Sequence, residues 1–163
     1  MGEGVLLKEG ASNSLRSAAT MGLNPCLGLA VTYEDGVKRQ AFLAHMQPEA
    51  NRSEVANELA QQMPDNFNAE MHVHITSERA DDPRVHADQE ARAEQLISEI
   101  AAKYNFIDFD ATNVHRHAAH SLSVSLDRLK VSTQPVTQNF TKDELNEMQR
   151  RMEADSSKVL FYR

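Results

Sequence analysis

Apolar and polar positions follow one another along this chain in short, well-punctuated blocks. Residues 5–7 (V-L-L) form a first apolar run that predicts a strand, and Gly10-Ala11-Ser12-Asn13-Ser14 predicts a turn after it. The run L-G-L-A-V-T-Y at 27–33 predicts a buried strand, and the E-D-G that follows is a hairpin signal. Its partner strand is expected over 37–44, with Pro48 beyond it. Between 51 and 62 the spacing turns helical. Asn51 stands as cap with Glu54 three residues on, and Val55, Leu59 and Met63 share one face. Period-two alternation returns in E-M-H-V-H-I-T at 70–76, setting Met71, Val73 and Ile75 on one face and His72 and His74 on the other.

A polar loop at 77–84 precedes a longer amphipathic helix expected over 86–104, with Leu96, Ile97, Ile100 and Tyr104 inward. Residues 106–109 read as a strand, and L-S-V-S-L at 122–126 with 129–131 as a hairpin. Thr141 and Glu144 form a capping box that opens a C-terminal helix, and an apolar run at 159–162 predicts a last strand. Met63, Met71, Met148 and Met152 fall at core-like spacings. Strands come first and then alternate with helices. That order predicts one α/β domain over 1–163, a sandwich of mixed, largely antiparallel sheet with helices packed on it.

Composition narrows the function without naming it. With 40% hydrophobic and 25% charged residues, 163 residues suffice for one globular core. The net charge of −7 and the lack of a basic tract argue against nucleic acid or anionic lipid as partner. A single cysteine forms no internal disulfide and calls for no oxidising compartment. The N-terminus has neither the basic and apolar regions of a signal peptide nor a fitting myristoylation pattern, and no apolar run is long enough for a membrane span. A cytosolic site of action is expected, reached either by synthesis there or through a specialised secretion system.

The chemistry centres on that cysteine. Cys26 opens one strand of the expected hairpin and His45 closes the other. A turn near residues 34–36 would set position 26 opposite 44 or 45, where opposed or diagonal Cβ atoms lie roughly 4.5–8 Å apart. An imidazole there can take the thiol proton and release the nucleophilic thiolate. The backbone amides of Asn24 and Leu27 are candidates to hold an oxyanion, whereas Pro25 has no N–H to offer. A lone buried cysteine serving only as packing explains the same residue. His72, His74, His115, His117 and His120, with Asp108 or Asp110, could ligate a metal or tune a pH response, but lack recognisable zinc spacing. No metal and no cofactor are expected.

The run T-M-G-L-N-P-C-L-G-L-A-V-T-Y-E-D-G-V-K-R-Q-A-F-L-A-H-M-Q-P, residues 20–48, resembles the signature region of the CheD family of bacterial chemoreceptor glutamine deamidases. That family has a T-L-G-L-G-S-C start, a strand hairpin and an H-x-M-L-P-like ending. The resemblance implies Cys26 as nucleophile, His45 as general base and Thr20 as third active-site residue. It also implies a fold shared with the cytotoxic necrotizing factor and Burkholderia lethal factor toxins. Asn24-Pro25 replaces the family's G-S, and its G-G-A segment is absent. The implied activity is deamidation of a glutamine in a protein substrate by a diverged enzyme, either a chemotaxis enzyme or a delivered effector. A non-catalytic protein-binding module, or a related cysteine amidohydrolase or transglutaminase, are the alternatives.

Overall fold

Two β-sheets face each other across a layer of small and branched side chains, with helices covering their outer faces. The computed structural model describes residues 3–10, 15–135, 140–154 and 160–162. In chain order the elements are β1 (Glu3–Lys8), β2 (Ser17–Met21), β3 (Leu27–Glu34), β4 (Arg39–Met46), α1 (Arg52–Gln62), β5 (Glu70–Ser77), α2 (Pro83–Ala101), β6 (Val114–Ala118), β7 (Ser121–Ser125), β8 (Lys130–Ser132), α3 (Lys142–Ala154) and β9 (Leu160–Tyr162). The first sheet has the order β1-β4-β3-β5-β6, antiparallel except where β6 joins β5 in parallel. The second has the order β8-β7-β2-β9 and is antiparallel throughout. The expected α/β sandwich is therefore present, built from two sheets.

Alternation along the strands explains the layering. Leu27, Leu29, Val31 and Tyr33 of β3 and Phe42, Ala44 and Met46 of β4 face α1 and α2, where they bury with Leu59, Leu96 and Ile100. The opposite face of the same strands carries Ala30, Ala41 and Leu43, which meet Ala18 of β2 and Leu122 and Val124 of β7 between the sheets. Ala19 points the other way from β2, onto Phe140 and Met148 beside α3. Met63, Met71 and Met148 are core residues, as their spacing predicts. The side chain of Met152, the turn at 11–14 and Val159 lie outside the described residues.

Several boundaries differ from the sequence expectation, each for a local reason. The hairpin turn spans 35–38: Asp35 N–H donates to the Lys38 carbonyl, and the Asp35 carboxylate accepts the N–H groups of Val37 and Lys38. Val37, expected in the strand, is consequently 87% exposed. Asp82 caps α2 by accepting the Arg84 N–H, with Pro83 at the first helical position, so the helix begins three residues earlier than its apolar stripe suggests. It ends at Ala101, and Tyr104 reaches back from the following turn to donate its hydroxyl to the Met63 carbonyl. No strand forms at 106–109. Asp65 accepts the Asn105 and Phe106 N–H groups, holding this segment as a turn with Phe106 66% exposed. By contrast the capping box stands as read, with Thr141 and Glu144 exchanging backbone-to-side-chain bonds.

Gly28 is where the two sheets come closest to the cysteine segment. A Cβ built there would lie 2.8 Å from Leu23 Cδ1 and 3.0 Å from Leu122 Cδ2, both in fully buried side chains. Gly28→Ala overpacks this point and should destabilise the protein by about 1–3 kcal/mol. Urea unfolding, compared at equal m-value, measures it.

Candidate functional site

His45 sits at the end of β4, on the face that looks toward the second sheet, and is 2% exposed. Its Nδ1 lies 2.9 Å from the hydroxyl of Thr20, which is 0% exposed and comes from β2 of that second sheet. The bond therefore ties the two sheets together and fixes the imidazole plane. Thr20 lies in a strand that the apolar pattern did not reveal, yet it is the residue that holds the ring.

Cys26 lies in the bend just before β3 and is half-buried. Leu27 pairs with Met46 and Gly28 with His45. His45 thus sits diagonally beyond Cys26 rather than opposite it, because the turn is centred later than the E-D-G signal implies. Among the described residues no hydrogen bond joins the sulfur to the imidazole. Burial holds His45 down to about 4 from an ordinary 6.5. Burial likewise pushes the Cys26 thiol up, opposed by the positive charge of Arg92 and reinforced by Glu49. At neutral pH the pair rests as thiol and neutral imidazole.

The cysteine segment is braced from several sides. Gly22 has a positive φ of 77°, open to glycine, and the Asn24–Pro25 peptide is cis. The Gly22 N–H donates to His120 Nε2, and His120 Nδ1 donates to the Glu78 carboxylate. The Leu23 carbonyl accepts the Glu78 N–H, and the Leu23 N–H donates to the His120 carbonyl. From α2, Gln89 donates to the Glu78 carbonyl and Arg92 Nη2 to the Pro25 carbonyl. Of the two amides proposed for an oxyanion, Leu27 is at the start of the β3–β4 ladder and Asn24 is exposed. The backbone N–H lying against the sulfur is that of Cys26 itself. Sequence reasoning missed Gln89 and Arg92. Their signal was available: two polar residues interrupt the buried stripe of α2 that continues through Ala93, Leu96 and Ile100.

No known protein-family model matches the chain, and a search of curated proteins finds no significant relative.

Four of the other histidines, His72, His74, His115 and His117, form a ladder. β5 and β6 bring His74 level with His115 and Thr76 level with His117. Rings 72 and 115, 74 and 115, and 74 and 117 stack with centroids 5.3, 4.4 and 5.3 Å apart. His72 Nε2 donates to Glu70, which leaves its Nδ1 to accept from His115 Nε2 at 3.0 Å. His74 Nδ1 and His117 Nε2 share a similar contact of 3.0 Å. These rings serve one another as hydrogen-bonding partners. Among the described residues no three His, Cys, Asp or Glu side chains converge on a point where an ion could sit. Asp110 is engaged by Thr112 instead, and the Asn113 side-chain amide donates to the Asp108 carbonyl. His72 and His74, on the strand face opposite Met71, Val73 and Ile75, are half-buried. No described helix is long and apolar enough to cross a membrane.

Two titration outcomes follow. Glu49 holds the Cys26 thiol up, so Glu49→Gln should lower the pH midpoint of iodoacetamide alkylation. His45 binds its proton less readily folded than unfolded, so stability is fully present above pH 6.5 and is lost as pH falls from there towards about 4. The loss is on the order of 3 kcal/mol, read as the difference between wild type and His45→Gln in denaturant midpoints across that window.

Proposed function

We propose that the protein is a protein-glutamine deamidase of CheD-like type, with Cys26 as nucleophile, His45 as proton carrier and Thr20 as the residue that orients His45. The observation that carries this reading is the buried 2.9 Å contact between Thr20 and His45. It joins the two outer members of the run T-M-G-L-N-P-C…H across separate sheets, with the cysteine diagonal to the imidazole. A hydroxyl accepting from Nδ1–H leaves the Nε2 lone pair to take a proton, which is the tautomer a general base needs.

The steps balance on these groups. Sγ attacks the carboxamide carbon while its proton passes to His45 Nε2, and the carbonyl π pair moves onto oxygen. Collapse restores the carbonyl and breaks the C–N bond, and the imidazolium proton leaves with the nitrogen as ammonia. Water then adds to the thioester with His45 taking its proton, the C–S bond breaks, and the sulfur is reprotonated. The thiol and imidazole are both neutral at rest, so ionisation is coupled to attack rather than stored beforehand. The substrate is a protein bearing an accessible glutamine, met in a cytosolic compartment where the lone thiol stays reduced.

A second reading is a protein-binding module on the same scaffold. The raised thiol and the absence of a sulfur–imidazole hydrogen bond favour it.

Mass spectrometry of proteins incubated with wild type should reveal a glutamine converted to glutamate, absent with Cys26→Ala. Conversion at equal rate by Cys26→Ala, or by neither protein in any candidate proteome, favours the binding module. Thr20→Val should lower kcat on the order of 100-fold by releasing the ring, with little change in KM.

A further inference from the structure

Arg92 is the least expected side chain near the cysteine. It is 6% exposed, and its planar guanidinium is only partly used. Nε donates to Asp88 one helical turn back at 2.9 Å, and Nη2 to the Pro25 carbonyl at 3.2 Å. Nη1 is buried and has no hydrogen-bond partner. Leaving a buried charged donor unpaired costs more than a typical hydrogen bond stabilises, so the arrangement is unfavourable unless something else fills the vacant bond. The rigid, planar guanidinium joins Nη1 through one carbon to Nη2, which is bonded to the carbonyl of Pro25, the residue before Cys26. Pro25 itself supplies no N–H there.

We infer that Arg92 contacts the ligand at the Cys26 site, its Nη1 donating to the carbonyl oxygen of the group held against the thiol. This rests on the deamidase reading for the identity of that group, a carboxamide. No bond is added to the steps above. The electron pair that moves onto oxygen is met by a charge-assisted N–H in a desolvated setting. The same N–H donates to a carboxylate oxygen at least as well as to an amide oxygen, so the site takes small carbonyl groups with a preference for the anionic form. The nearest structural explanation is that Arg92 only clamps the Pro25 carbonyl, in which case its charge would not discriminate between ligands.

Iodoacetate brings a carboxylate to the sulfur and iodoacetamide a carboxamide, and the unfolded chain supplies the ratio of their intrinsic reactivities. Their alkylation rates are compared at fixed pH and salt, so the thiolate fraction cancels in the ratio. Wild type should favour iodoacetate, relative to the urea-unfolded chain, by about fivefold. Arg92→Gln should bring the ratio to the unfolded value. Arg92→Lys should retain part of it. Arg84→Gln, which removes an exposed positive charge from the first turn of the same helix, should leave it unchanged. Equal ratios in wild type and folded Arg92→Gln overturn the proposal. If Arg92→Gln fails to give a cooperative unfolding transition, Asp88→Asn decides. Removing the carboxylate paired with Arg92 should raise the ratio, and an unchanged or lower ratio overturns the proposal. The two readings fail separately. A ratio that falls in Arg92→Gln without any glutamine conversion by wild type rejects deamidation and keeps the contact. Conversion by wild type with an insensitive ratio does the reverse.

Discussion

Leu23 and Leu122 pack directly over Gly28, where the chain has no side chain to keep them away. This close contact lets the segment before β3 fold inward and lets the second sheet approach the first at the end of the β3–β4 hairpin. The neighbouring features depend on it. Leu23 is held by its backbone to Glu78 and His120, and the cysteine follows three residues later. Gly28 is also the residue opposite His45. The approach that seats Leu23 is therefore the same one that brings Thr20 of the second sheet within hydrogen-bonding distance of the imidazole. Interiors packed at crystal-like density tolerate little change at such a point, so the site inherits its geometry from the core.

The electrostatics of the site follow from that burial. A packed, mostly apolar setting disfavours charge, which lowers the affinity of His45 for a proton and raises that of the Cys26 thiol. Both effects oppose a standing ion pair. What offsets them is Arg92, whose charge favours the thiolate from the side of α2. On the deamidase reading proposed above, such a site would keep its thiol protonated until a substrate brings a carboxamide to it.

How much of this was legible in the sequence depended on whether the deciding interaction was local. The β3–β4 hairpin, the α1 cap at Asn51 and the Thr141–Glu144 capping box are written in neighbouring residues and could be read. Cys26 and His45 fell within reach of one another by counting from the turn, although the Asp35 side chain displaced that turn and changed the pairing from opposed to diagonal. β2 escaped because S-A-A-T-M has no alternation strong enough to announce a strand. Its pairing with β7 and β9 is made across more than ninety residues. β6 escaped because V-H-R-H-A reads as a polar loop until β5 lies beside it. The segment at 106–109 failed in the opposite sense: its aromatic content suggested a strand, but the Asp65 carboxylate captured the backbone donors first.

The histidine ladder shows the same rule in chemical form. Five histidines in a sequence invite a metal, since imidazole is its commonest ligand. Across the parallel β5–β6 pair, four of the rings stack and pair nitrogen to nitrogen, with Glu70 accepting at one end. Each contact needs one donor and one acceptor, so at least one ring of every pair is neutral. Burial and the neighbouring rings hold His74 down to about 3, and burial lowers His115 and His117 as well. A cation at His72, at His115 Nε2, at His74 Nδ1 or at His117 Nε2 would have to displace a partner already there. His120, outside the stack, uses its two nitrogens on Gly22 and Glu78 to brace the cysteine segment. One residue type thus serves two purposes here, and only the pairing of distant strands distinguishes them.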